Sequence, residues 1–148
     1  MREQGLETLT VWQKAMIFSV WVCKDLIPTL PKDEIYALTS QLRRSVQSIS
    51  ANIAEGYGRY YYQEDIRFCY IARGSLEETR SHITFARDMG YLTEPICMRA
   101  YSEMEELRRL LNGYIQYLKS QKPGANEPGA TIKEESLNYF VDHQDNNQ

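Results

Sequence analysis

Residues 38–59 read LTSQLRRSVQSISANIAEGYGR, and residues 65–78 read DIRFCYIARGSLEE. In the first stretch Leu38, Leu42, Val46, Ile49 and Ile53 recur at spacings of three and four, the period of one helix face. In the second, Phe68, Ala72 and Leu76 do the same, and Thr79, Ile83 and Ala86 continue the stripe beyond it. Gly56 to Gly58 stop the first pattern, and a tyrosine-rich turn separates it from the second. The two stretches predict a helix from about Tyr36 to Gly56–Gly58, a turn, and a helix from about Gln63 to Met89 closed by Gly90.

Working outward, Thr10 with Gln13 three residues on forms a capping-box pattern. A helix from there reaches about Ile27 and stops at Pro28 and Pro31. Its predicted core face is Leu9, Trp12, Met16, Cys23 and Leu26. Thr93, Glu94 and Pro95 read as an N-cap, an acidic first turn and an early proline. The helix they open runs to about Gln121 and points Cys97, Met104, Leu107, Leu111 and Leu118 inward. No stretch keeps the period of two that a strand needs. Four helices joined by short loops predict an all-α fold, an antiparallel up-down four-helix bundle over residues 1–121.

Residues 122–148 have another character. KPGANEPGAT is a proline- and glycine-rich linker, and IKEESLNYFVDHQDNNQ is acidic. The chain carries a net charge of −3, unevenly placed. Residues 1–122 hold 16 Lys/Arg against 15 Asp/Glu, whereas residues 123–148 hold one lysine against five acids. A flexible tail is expected, with at most a short helix or docking peptide around Leu137 to Val141.

Several classes are excluded on the same basis. No apolar run approaches the ~20 residues of a membrane span, and MREQGLETLT lacks an apolar signal region, so a cytoplasmic protein is expected. Cys23, Cys69 and Cys97 are far apart and odd in number, which argues against a disulfide framework or a zinc site. The two histidines, His82 and His143, form no Glu-x-x-His pair of the kind that holds metals in bundles. No nucleophile–base arrangement and no phosphate-cradling glycine loop is present. The expectation is a protein that is not an enzyme and has no cofactor or metal.

Two features point to partners. Phe18, Trp21 and Val22 form a second apolar face on the first helix, a patch of the kind that marks self-association. Ser48 and Ala51 on the second helix, and Tyr70 and Glu77 on the third, extend the predicted oligomer interface. Between Asp33 and Leu118 there is no lysine, and all ten basic residues are arginines. Arginine suits planar recognition of carboxylate or phosphate, so intersubunit ion pairs and phosphate contacts are both open. In the turn, Tyr57, Tyr60, Tyr61 and Tyr62 surround Arg59. They either stack on unpaired bases or pack over the end of the bundle.

The SANIAEGYGR and IARGSLEE blocks, with LTVWQKA before them, resemble bacterial four-helix-bundle proteins encoded in intervening sequences of large-subunit ribosomal RNA genes, also labelled S23 ribosomal proteins. The resemblance spans roughly residues 8–120. It implies a ring-like homopentamer and kinship with the accessory protein of diversity-generating retroelements, which binds nucleic acid and a reverse transcriptase. Arg43, Arg44, Arg59, Arg67 and Arg73 match the family's basic pattern, and with Tyr60 and Tyr61 they are the nucleic-acid candidates. The chain departs from the family in two places: Ser50 stands where the family often has proline, and Tyr60–Tyr62 where relatives often place lysine and serine. The expected function is a non-enzymatic, homo-oligomeric RNA- or DNA-binding accessory protein, with a reverse transcriptase as a possible partner. The alternative is an interaction scaffold whose arginines join subunits.

Overall fold

The computed structural model describes residues 5–121. Four long helices carry the fold: α1 (Thr10–Trp21), α2 (Leu38–Tyr57), α3 (Tyr62–Asp88) and α4 (Glu94–Lys119). No strand occurs among the described residues. The linker and tail predicted for residues 122–148, with His143, lie outside the described residues. No described helix is long and apolar enough to cross a membrane.

α2 and α4 match their predicted faces, and α3 does so except at Phe68, which is half-buried near the α2–α3 turn. Leu38, Leu42, Val46, Ile49 and Ile53 of α2 are all buried. So are Ala72, Leu76, Thr79, Ile83 and Ala86 of α3, and Cys97, Met104, Leu107, Leu111 and Leu118 of α4. Each of these helices carries one dominant apolar stripe, and burying it sets the orientation even though α3 leaves Ile71 and Phe85 exposed.

α1 corrects the prediction. Val11, Ala15, Phe18, Trp21 and Val22 are buried, while Met16 is exposed and Leu9, Trp12 and Cys23 are half-buried. Apolar side chains surround this helix, so periodicity cannot select its inner face. Phe18 (2% exposed), Trp21 (6%) and Val22 (0%) are therefore core of the single chain, not open surface for a partner. The predicted capping box is also absent: Thr10 is the first helical residue, Leu9 is the N-cap, and the Gln13 amide donates to the Glu7 carbonyl. The chain beyond α1 stays coiled through a π-helical turn at Val22–Leu26 and a 3-10 turn at Ile27–Thr29 before Leu30 turns extended.

The helix contacts pair rising numbers with falling ones. Between α2 and α3, Ser45 meets Thr79 (Oγ–Oγ1 3.0 Å) and Ser48 meets Ser75 (Oγ–Oγ 2.8 Å). Between α3 and α4, Tyr114 donates to Asp65 at 3.0 Å, Arg73 to Asn112 at 3.1 Å and Arg80 to Glu105 at 2.8 Å. α1 joins α4 through Lys14–Glu106 at 3.2 Å, and joins α2 where the Ser19 hydroxyl donates to the Val46 carbonyl at 2.8 Å. The serine–threonine seam is small and mutually bonded, so α2 and α3 pack closely with their buried hydroxyls satisfied.

Gly56 takes that approach to its limit. A Cβ at this position would lie 2.8 Å from Asp65 Oδ1, 2.8 Å from Phe68 Cβ and 3.0 Å from the Asp65 carbonyl oxygen. The glycine predicted as a helix stop thus also lets the start of α3 cross the end of α2. Gly90 is the one described residue with positive φ, at 74°. There the Tyr91 amide reaches back to the Ala86 carbonyl at 3.0 Å, closing α3 as predicted. Glu34 ties the opposite end of the fold: its carboxylate accepts from the Leu38 amide at 3.3 Å and from the Tyr91 hydroxyl at 3.1 Å.

Candidate nucleic-acid interface

The lysine-free arginines divide by what they touch. Five lie over aromatic rings: Arg59 over Phe68 (5.0 Å), Arg73 over Tyr70 (4.9 Å), Arg80 and Arg87 over Tyr101 (5.2 and 5.5 Å), and Arg99 over Trp21 (4.7 Å). Several also hold carboxylates. Arg59 pairs with Glu55 at 2.7 Å, Arg99 with Glu103 at 3.1 Å, and Arg108 bridges Glu77 and Glu105. A planar guanidinium can stack by its face and bond by its edge at once, which a lysine ammonium cannot do. This accounts for arginine at these sites within one chain.

Glu105 receives both Arg80 and Arg108. The hydrogen bond from Arg80, reinforced by the Arg108 charge, holds its carboxyl below the ordinary value. Tyr91 moves upward, chiefly because burial disfavours its phenolate and secondly through the bond to Glu34.

Four arginines remain. Arg43, Arg44, Arg67 and Arg109 make no hydrogen bond, ion pair or ring contact with the described residues, and all four are exposed. Arg109 contributes only to the field at Glu105. Sequence reasoning named the first three but missed Arg109. Adjacent arginines at 108 and 109 look alike in the sequence, yet 100° of helix rotation sends one to Glu77 and leaves the other outward.

The structure does not gather the predicted residues into one cluster. Arg59, Tyr60, Tyr61 and Arg67 sit at the α2–α3 turn, whereas Arg43 and Arg44 lie about 20 Å away along α2 by helical rise. Tyr60 is 88% exposed, and the edge of one ring of the Tyr60–Tyr61 pair meets the other at 5.0 Å. Arg73 is turned toward α4, bonded to Asn112.

The interface candidates are similarly redistributed. Ser48 bonds Ser75 and Asn52 inside the chain. Tyr70 is half-buried between Arg73 and Lys119, and Glu77 receives Arg108. Ala51 alone of the set lies exposed without such contacts. Exposed apolar residues occur elsewhere: Met16, Ile17 and Val20 on α1, Ile71 and Phe85 on α3.

Sequence reasoning also missed Asp65. This carboxylate is fully buried in the first turns of α3, taking the Tyr114 hydroxyl at 3.0 Å with the Cys69 thiol 3.6 Å away. An acid at a helix start is ordinary in a sequence, and its partner lies 49 residues downstream. His82 is half-buried, 3.4 Å from Glu78.

The family described as 23S rRNA-intervening sequence protein matches residues 7–113. Among solved structures, a protein of unknown function from the S23 ribosomal protein family of Bacteroides thetaiotaomicron VPI-5482 is similar at a TM-score of 0.66 and 24% identity. The likeness covers 72% of this chain and 99% of that one, and at this identity it shows the fold alone. No curated protein matches the chain.

Proposed function

This chain belongs to the 23S rRNA-intervening sequence protein family, and from that premise we propose that it is a homo-oligomeric accessory protein that binds structured RNA or DNA and catalyses no reaction. The observation that carries the proposal is the division of the arginines. Six of the ten are engaged inside the chain, and Arg43, Arg44, Arg67 and Arg109 stand exposed with no described partner. Exposed guanidinium groups displace counterions from a phosphate backbone without needing a pocket. Tyr60, 88% exposed beside Arg67's end of α3, adds a face on which an unpaired base can stack.

The scaffold in this reading is an antiparallel up-down four-helix bundle, supported by the rising-against-falling contact pairs of α2, α3 and α4. Self-association draws support from two separate apolar faces. A ring needs two different surfaces that fit each other, and α1 (Ile17, Val20) and α3 (Ile71, Phe85) each supply one. A ring of five and a reverse transcriptase partner rest on the family resemblance, a cytoplasmic setting on the sequence of the N-terminal residues, and together they complete the proposal.

Filter binding with a structured RNA and a DNA duplex at low salt tests it. Retention that falls steeply with added salt is expected. No retention of either would leave an interaction scaffold, the alternative in which these arginines meet acidic groups of another chain.

A further inference from the structure

A groove lies where the end of α1 meets the start of α2. It is open to solvent and has a volume of about 520 Å3. Cys23, Ile27, Leu30, Ile35 and two prolines line it with apolar surface, Thr39 and Ser40 add hydroxyls, and Lys32 and Arg43 add two cations. Neither cation has a partner among the described residues. The groove is therefore largely apolar, carries two cations in its lining, and is not filled by the described residues.

Residues 134–142 read EESLNYFVD. Leu137, Tyr139, Phe140 and Val141 are bracketed by Glu134, Glu135 and Asp142. Apolar residues accompanied by acids complement a lining that offers apolar surface together with cations. From this pairing we infer that the segment Glu134–Asp142 docks in the groove of its own chain, with its apolar residues on Ile27, Leu30 and Ile35 and its acids on Lys32 and Arg43.

The reach is sufficient. α4 ends at Lys119, at the end of the fold that holds the α2–α3 turn, because Tyr114 meets Asp65 there. The groove is at the opposite end, about 25 Å away by the rise of α2 from Arg43 to Tyr57 plus one turn. Twelve residues, 122–133, separate Gln121 from Glu134 and span up to ~40 Å when extended. Tethering also makes the segment's local concentration on the order of millimolar, so a shallow groove suffices. The inference does not depend on nucleic-acid binding, although docking would occupy Arg43 and so shield part of that surface.

Cys23 supplies the readout, because it lines the groove while Cys69 and Cys97 are buried elsewhere. The experiment follows alkylation of Cys23 by N-ethylmaleimide in the full chain, using mass spectrometry of the Cys23 peptide. Leu137→Asp with Phe140→Asp is expected to raise the rate about tenfold or more. Lys32→Glu with Arg43→Glu is expected to do the same, and adding Glu134→Lys and Glu135→Lys to that pair is expected to restore slow alkylation. An unchanged rate in the Leu137/Phe140 variant would overturn the inference, as would charge reversal that the second pair fails to rescue. Protection that disappears on dilution from about 100 µM to about 1 µM would place the segment in a neighbouring chain and overturn docking within one chain.

Discussion

Replacing glycine by alanine at two positions should move stability in opposite directions. At Gly56 the new methyl would sit 2.8 Å from Phe68 Cβ, where carbon atoms normally rest about 3.5–4.0 Å apart. The obstacle cannot rotate away, because a Cβ is fixed to its backbone, and the Asp65 carbonyl oxygen at 3.0 Å is backbone itself. The ends of α2 and α3 must therefore separate. Overpacking of this kind costs about 1–3 kcal/mol, and the shift also disturbs Asp65, whose bond to Tyr114 ties α3 to α4. The helix propensity returned is under ~1 kcal/mol this close to a helix end. Gly56→Ala should lose about 1–2 kcal/mol net. At Gly74, in the middle of α3, nothing lies within 4 Å of the same methyl. Gly74→Ala should gain about 0.5–1 kcal/mol from helix propensity alone. Urea unfolding followed by helical circular dichroism at one protein concentration measures both. A Gly56→Ala variant as stable as the parent would refute the close-crossing argument. A destabilised Gly74→Ala variant would show that another chain packs on that face.

Other consequences follow from the burial and the ion pairs. Phe18→Ala should cost about 3–5 kcal/mol, as truncation of a core ring does, and thermal denaturation showing a surface-like change below ~0.5 kcal/mol would return Phe18 to the surface. Tyr91 has a raised value in the fold, so its contribution is complete below the ordinary phenol range and is lost as pH rises through the raised value. Tyr91→Phe should flatten the alkaline limb of a stability–pH profile. Glu105 has a lowered value, so its contribution is complete above the ordinary carboxylate range and is lost as pH falls through the lowered value. Glu105→Gln should flatten the acid limb, and unchanged limbs in either variant would contradict the assigned pairs.

How far the sequence could be read depended on how one-sided each helix is. In α2, α3 and α4 one apolar stripe dominates, and most of the residues it names are buried, although Phe68 is half-buried and Ile66, Cys69 and Ile115 join the core from outside it. α1 is apolar on every side, so its inner face is decided by α2 and α4, and Phe18, Trp21 and Val22 became core rather than contact surface. The candidate interface was legible as composition but not as geometry. Ten arginines without a lysine announce a special role, yet only the fold separates Arg80, stacked on Tyr101 and bonded to Glu105, from Arg44, which has no hydrogen bond, ion pair or ring contact among the described residues. Asp65 and Gly56 were illegible for the same reason, since each is defined by a neighbour on another helix.

The division of the arginines is tested most directly by the salt dependence of RNA binding. For the parent protein, the logarithm of the binding constant should fall linearly with the logarithm of salt concentration. Each lost phosphate contact reduces that slope by about 1. Replacing Arg43, Arg44, Arg67 and Arg109 by glutamine should flatten the slope by up to ~4, whereas Arg80→Gln, which removes an arginine already paired with Glu105, should leave it nearly unchanged. Equal slopes for the fourfold variant and the parent would contradict the account.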